Sequence, residues 1–453
     1  MDSISRKQFL QQSLAASAGF YGLSLYLFNP EKIIAATLSA QNKWLEIPAG
    51  FKVEVISEMG QKMADGLHVP GRADGMGAFH INGKTIIIRN HEISPNDTKN
   101  SAFGKRNKLA NKLPKGYFFD FGHGTNPSLG GTTTLVFNEH TGKVETQFLS
   151  LAGTNRNCAG GITPWGTWIS CEEDVTPKMA DNETEHGYNF EISAKANNIT
   201  KPIPLKAMGR FNHEAVSVNP KSGFVYQTED AGDGLIYRFI PKTKEKLADG
   251  GILQALKIKD QWGFDTRNWE DKTLSIGDSL EVEWITLDDV EAPKNDLRLR
   301  GRNQGAAVFA RGEGMWYGNN EIYFACTNGG KKNLGQVFKY IPSPNEGTDA
   351  EDNAPGKLVL FAESDDFDTL KNCDNLTIAP WGDVILCEDH PDAYIRGITP
   401  NGKAYTIARN IFSKSELAGA CFSPSGKYLF VNIQEEGLTL AISGPWETLR
   451  SGL

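Results

Sequence analysis

The chain has 453 residues, 39% hydrophobic and 23% charged, with a net charge of −8 and no long basic run, which argues against nucleic acid as its main partner. Forty-seven glycines point to many turns and a β-rich fold. The six cysteines (Cys158, Cys171, Cys326, Cys373, Cys387 and Cys421) form no CxxC pair, which argues against a zinc knuckle or a thioredoxin-like motif.

At the N-terminus, Arg6-Lys7 precede Phe9-Leu10 and an apolar stretch from Leu14 to Phe28, with small residues at Ala35, Ala36 and Ala40 as cleavage sites. This resembles a twin-arginine export signal with lysine in place of the second arginine. Residues 1–40 are expected to be that signal, read by the twin-arginine translocase. Residues 41–453 are expected to form one domain, periplasmic or extracellular, with no stable membrane association after export. The competing reading of the apolar stretch is an uncleaved membrane anchor.

The second half of Trp44–Met59 alternates and predicts a strand. Ala78–Ile88 predicts a hairpin around Asn82-Gly83 that stops at Arg89-Asn90-His91-Glu92. Ser94–Gly131 breaks the rhythm and is expected to be an excursion over one face. Thr132–Phe137 and Lys143–Leu149 form the next hairpin. Then comes Asn157–Asp174, NCAGGITPWGTWISCEED, which the chain repeats as Asn372–Asp389, NCDNLTIAPWGDVILCED. Weaker copies lie at Phe211–Asp230, Arg311–Gly330 and Glu416–Gln434, the first two followed by partner strands at Leu235–Ile240 and Gln336–Ile341. A short helix is expected within Leu287–Asp296.

With the first hairpin there are six copies, which predicts an all-β fold, a six-bladed β-propeller with long loop insertions over its metal-binding face. Aligned on their turn residues (Gly83, Gly166, Gly223, Asn320, Gly382, Gly426), the copies carry Arg89, Glu172, Glu229, Cys326, Glu388 and Asn432 six residues on. One residue further lie Asn90, Glu173, Asp230, Thr327, Asp389 and Ile433. Cys158, Glu214, Glu313 and Asp374 stand seven to nine residues before the anchors. Both ends of a hairpin lie at one sheet edge, so Cys158, Glu214, Glu313 and Asp374 at the starts and Glu172, Glu229 and Glu388 at the ends are expected to converge at one mouth of the channel. Carboxylates so gathered repel unless cations sit between them. Oxygen donors suit calcium, and a thiolate among them suggests a transition metal as well. Arg311, two residues before Glu313, is a candidate phosphate clamp or a plain surface cation. His91 and His213 are ligands, acid–base groups or packed histidines. Cys171, Cys326, Cys387 and Cys421 sit in apolar runs and are expected to be buried.

These motifs resemble those of the PhoX family of secreted bacterial alkaline phosphatases. The matching pieces are NHE at Asn90–Glu92, Asn157–Asp174, GRFNHEAVSV at Gly209–Val218, YQTED at Tyr226–Asp230, RGEG at Arg311–Gly314, CDNL at Cys373–Leu376, CED at Cys387–Asp389, and ELAGACFSPSGKYLFVNIQ at the sixth copy. The resemblance implies a propeller holding two ferric irons (Fe3+), a bridging oxo group and several calcium ions (Ca2+). It also implies hydrolysis of a small phosphomonoester at alkaline pH outside the cytoplasm. By motif, Cys158 is the iron thiolate ligand, and Glu214 and Glu313 are iron or bridging ligands. Glu172, Glu173, Glu229, Asp374 and Glu388 serve iron or calcium, and Arg311 holds the phosphate. The family commonly has proline after this arginine, where this chain has Gly312. The rival readings are a calcium-dependent propeller lactonase or phosphodiesterase and a non-enzymatic, calcium-stabilised binding propeller.

Overall fold

Each of the six motif copies forms an antiparallel hairpin. In the computed structural model, which describes residues 38–39, 42–124, 126–179 and 182–450, the pairs are as follows. Ala73–Ile81 runs against Lys84–His91, Asn157–Ile162 against Thr167–Glu172, and His213–Val218 against Val225–Glu229. Gly312–Gly318 runs against Glu321–Cys326, Cys373–Ile378 against Val384–Glu388, and Leu417–Phe422 against Tyr428–Ile433. The first strands of these hairpins pack side by side in chain order, and the sixth packs against the first, so that they close a ring. The arrangement is all-β and propeller-like, and among the described residues α-helix is confined to Leu297–Arg302, just beyond the segment expected to hold a helix. Apart from Leu38–Ser39, the expected export segment lies outside the described residues. No helix among the described residues is long and apolar enough to cross a membrane.

Outward from the ring, further strands extend the hairpins into sheets. The closing sheet takes its outer strand from the other end of the chain: Lys52–Glu58 pairs with Leu438–Ser443. Among the described residues the sheets number five rather than six, because Ser279–Thr286 pairs on one side with Gly251–Ile258 and on the other with Lys357–Glu363. That strand fuses the third and fourth hairpins into one nine-stranded sheet and covers two edges that would otherwise present unpaired backbone groups. Apolar alternation supplies the packing between sheets. Ile385, Cys387, Ile395 and Ile407 of the fifth unit share a buried cluster with Leu429, Val431, Leu440 and Ile442 of the sixth. All six cysteines are buried and unpaired, as expected for Cys171, Cys326, Cys387 and Cys421.

The excursion at 94–131 is less irregular than its composition suggests. Short 3-10 turns and a core of Ala102, Phe103, Ala110, Phe118, Phe121 and Leu129 pack it onto Met63, Leu67, Val69 and Leu149. It was expected over the metal-binding face, but none of its described residues lines the cavity described next.

Candidate metal centre

The same backbone hydrogen bond recurs in all six hairpins at one end of the ring. Glu92, Glu173, Asp230, Thr327, Asp389 and Gln434 each donate their N–H to the carbonyl of Arg72, Arg156, Asn212, Arg311, Asn372 and Glu416, respectively, at 2.8–3.4 Å. This register corrects the alignment on turn residues. The first hairpin turns through only Asn82-Gly83, so its equivalent end is His91-Glu92 rather than Arg89-Asn90. In the sixth, Ile433 takes the place assigned to Asn432.

A register shift opens every inner strand, directly after the first residue in five hairpins and one residue later in the sixth. Such a bulge re-aims a side chain out of the pleat. The re-aimed residues are Asp74, Cys158, Glu214, Glu313 and Asp374, and all five line one cavity of about 330 Å³. The residue after each is small or compact (Gly75, Ala159, Ala215, Gly314, Asn375), and Gly419 holds that place in the sixth hairpin. Close approach of the strands requires this: a Cβ on Gly75 would lie 2.6 Å from Ala159 Cα, and one on Gly314 would lie 2.6 Å from the Leu376 nitrogen. Asn375 adds a crosslink by accepting the Gly419 N–H.

Three groups of donor atoms, each within 4.8 Å of one another, run through the cavity: Asp74, Glu92 and Cys158; Cys158, Glu173 and Glu214; Glu214, Glu313 and Asp374. They overlap at Cys158 and Glu214 and so form one chain of sites. The Cys158 thiol donates to Glu173 Oε2 at 3.0 Å. Asp74 Oδ1 is buried without a hydrogen-bond partner. Burial, with Glu92 nearby, pushes the Asp74 carboxyl up to about 7. Burial likewise pushes Glu173 up to about 8, against the opposing pull of Arg156. Glu214, Glu313 and Asp374 are held well above the carboxylate range by burial first and then by a neighbouring carboxylate, Glu173, Asp230 and Asp74, respectively. Burial and then Glu173 push the Cys158 thiol up. Acids this close cannot all ionise together without cations among them. Oxygen donors with one sulfur fit a hard divalent ion beside a transition metal.

Cys158, Glu173, Glu214, Glu313, Asp374 and Arg311 are brought together here, whereas Glu172, Glu229 and Glu388 are not. Successive strand residues face opposite ways, so only one member of each acid pair can face the cavity. Glu172 accepts from the N–H groups of Asn155, Gly187 and Tyr188 and from His186 Nδ1 at 2.7 Å. Glu229 accepts from the Leu235 N–H and the Tyr237 hydroxyl. Glu388 accepts from the N–H groups of Lys371 and Tyr394 and from Arg396 Nε. These three carboxylates brace the loops behind the centre. The following residues, Glu173, Asp230 and Asp389, line the cavity instead.

Reasoning from turn residues missed Asp74 and Glu416, and it aligned Asp230 and Asp389 without assigning them to the site. A signal for Asp74 stands in the sequence: Arg72-Ala73-Asp74 repeats the pattern of Arg156-Asn157-Cys158 and Arg311-Gly312-Glu313, an arginine two residues before a donor. Arg72, Arg156 and Arg311 all line the cavity, with left-handed φ of 50°, 42° and 50°. Strain of this kind gathers at functional sites. Arg311 places Nε and Nη2 on the two oxygens of Asp230, both at 2.8 Å, and Nη2 lies 3.1 Å from Glu313. Arg156 bridges Glu92 (2.8 Å) and Glu173 (2.5 Å). His91 and His213 are packed groups: His91 bonds the Gly71 carbonyl and Thr133, and His213 bonds the Gly209 carbonyl and stacks on Phe211.

The sequence profile of a family described as "Alkaline phosphatase PhoX" matches residues 34–437. No curated protein sequence matches the chain. Among solved structures, a gluconolactonase from Xanthomonas campestris aligns at 12% identity over 87% of this chain and 96% of its own, with a TM-score of 0.36. A protein of unknown function from Bacteroides thetaiotaomicron aligns at 11% identity over 87% and 76%, with a TM-score of 0.45. An auxiliary nutrient binding protein from Bacteroides ovatus aligns at 8% identity over 87% and 77%, also at 0.45. Likenesses at this level carry no argument about activity.

Proposed function

The chain belongs to the PhoX family of alkaline phosphatases, and from that premise we propose that it is an exported, metal-dependent phosphomonoesterase acting on a small phosphoester. The observation that carries this reading is the chain of three donor groups sharing Cys158 and Glu214 in one cavity with Arg311. In this reading the group containing Cys158, Glu173 and Glu214 would hold Fe3+, since a thiolate selects a transition metal. The all-oxygen group of Glu214, Glu313 and Asp374 would hold Ca2+, and Asp74 and Glu92 would extend the centre on the other side of Cys158. Bound cations act as Lewis acids on phosphoryl oxygens and neutralise the charge that grows there.

The chain's own residues do the rest. Asp230 fixes the plane of the Arg311 guanidinium at the cavity wall, and Arg311 Nη1 is left to donate to a phosphate oxygen. Arg156 holds Glu92 and Glu173 in place from the rim. Glu172, Glu229 and Glu388 fix the loops on which Glu173, Asp230 and Asp389 stand, a supporting role rather than ligation.

The wider reading is a six-bladed propeller in which Ser279–Thr286 joins the third and fourth blades, supported by the ring of six inner strands and the sixfold backbone bond. Residues 41–453 are one domain, delivered to the periplasm or the exterior by the twin-arginine translocase acting on residues 1–40. The acidic mouth would repel a nucleic acid backbone.

Pure protein from its native export route should release phosphate from p-nitrophenyl phosphate, and chelation should abolish the release. Full activity in metal-free protein would overturn the proposal and favour neither metal.

A further inference from the structure

The three register-equivalent arginines differ in what occupies their donors. Arg156 is bound by two carboxylates and Arg311 by two, with Asp230 taking its fork in bidentate fashion. Arg72 donates through Nη1 to the neutral amide oxygen of Gln434 at 2.9 Å. Its ion pair is a loose one, 3.6 Å to Glu435, whose side chain is 60% exposed. Arg72 is therefore the cavity arginine with the most unused donor capacity, because a guanidinium carries five N–H groups. The inner strands that Arg72 and Arg311 precede are the first and fourth in the ring, three steps apart in either direction, so the two arginines stand on opposite walls.

Two further observations tie Arg72 to the cavity rather than to the surface. Its φ of 50° is the strained conformation shared with Arg156 and Arg311. Its carbonyl accepts the Glu92 N–H, and Gln434, which orients its guanidinium, also donates to Asp74 and Glu92. Gln434 is fully buried, so the amide is a fixed bracket between Arg72 and the donors beside Cys158.

We propose that Arg72 is a second oxyanion-binding arm, which receives a phosphate oxygen from the wall opposite Arg311 while Glu435 swings out to solvent. The role rests on the phosphatase reading for its substrate, a phosphomonoester, but phosphate binding can be measured without turnover. A guanidinium donor on each wall would grip a tetrahedral phosphate from two sides and fix its orientation in the cavity.

The test is titration of inorganic phosphate into metal-loaded protein by calorimetry, for wild type, Arg72→Gln and Glu435→Gln, with melting temperature and metal content recorded for each. Arg72→Gln should weaken phosphate about tenfold at unchanged metal content, in line with the loss of a charged donor. Glu435→Gln should tighten it about twofold by removing the competing carboxylate. Arg72→Gln binding phosphate within twofold of wild type would overturn the proposal. Should Arg72→Gln lose metal or fail to fold, Glu435→Gln decides: tighter binding supports the role, and unchanged binding overturns it. If wild type binds phosphate in this Arg72-dependent way but releases none from any ester, the phosphatase reading fails and the role of Arg72 stands. If it binds none, both fail.

Discussion

Cys158, like Glu214, belongs to two of the three donor groups, so its substitution is expected to reach further than that of a donor in one group alone. Cys158→Ser should remove iron and lower phosphate release by about 100-fold, a loss read by elemental analysis and p-nitrophenyl phosphate turnover. The neighbouring glutamates give a contrast that separates ligation from bracing. Glu173→Gln should lower metal content with little change in the fold of the metal-free protein. Glu172→Gln should leave the donor set intact but destabilise the protein by about 3–5 kcal/mol, because it breaks a buried pair with His186, as thermal melting would show. Equal metal loss in both variants would contradict the assignment of opposite faces. At this scale the sequence displayed Cys158, Glu173, Glu214, Glu313, Asp374 and Arg311 through local motifs. It did not separate Glu229 from Asp230 or Glu388 from Asp389, since which of two adjacent acids faces the cavity depends on the pleat.

Each inner strand contributes a bulge, and in five of the six the bulge carries a re-aimed donor followed by a small or compact residue. The bulge turns the donor inward, and the small residue lets six strands meet around the ring. Gly314→Val should therefore destabilise the protein by about 1–3 kcal/mol or more, since the added Cβ meets the backbone of Asn375 and Leu376 rather than a movable side chain. A melting curve unchanged from wild type would count against this account of the ring. The hairpins themselves were legible from alternation and turn residues, including Gln336–Ile341, which matches its predicted span. Their relative register was less so. Turn lengths differ between copies, so anchoring on the turn misplaced the first hairpin by two residues and hid Asp74. The fusing strand Ser279–Thr286 was also hidden, because only its pairing on both edges distinguishes it from a polar connection.

The whole molecule is held to its long excursion by a buried ionic chain: Asp120, on that excursion, lies 3.3 Å from His186 Nε2, and Glu172 lies 2.7 Å from Nδ1. Burial disfavours a charged His186, but Glu172 and Asp120 outweigh it and push its pKa up to about 10. A histidine raised above its unfolded value near 6.5 adds stability that is complete below that pH and is lost as pH rises through about 10. Unfolding measured from pH 6 to pH 10 should show this decline, and His186→Gln should flatten it. Removal of metal acts on the same global stability, since cations bound only by the folded state stabilise it by mass action. Chelated protein should melt at a lower temperature than the loaded form. The central claim, a mixed metal centre hinged on Cys158, is tested most directly by elemental analysis of wild-type and Cys158→Ser protein from the native export route. The account predicts iron and calcium together in the wild type and loss of iron in the variant. Wild-type protein without iron, or a variant with undiminished iron, would contradict it.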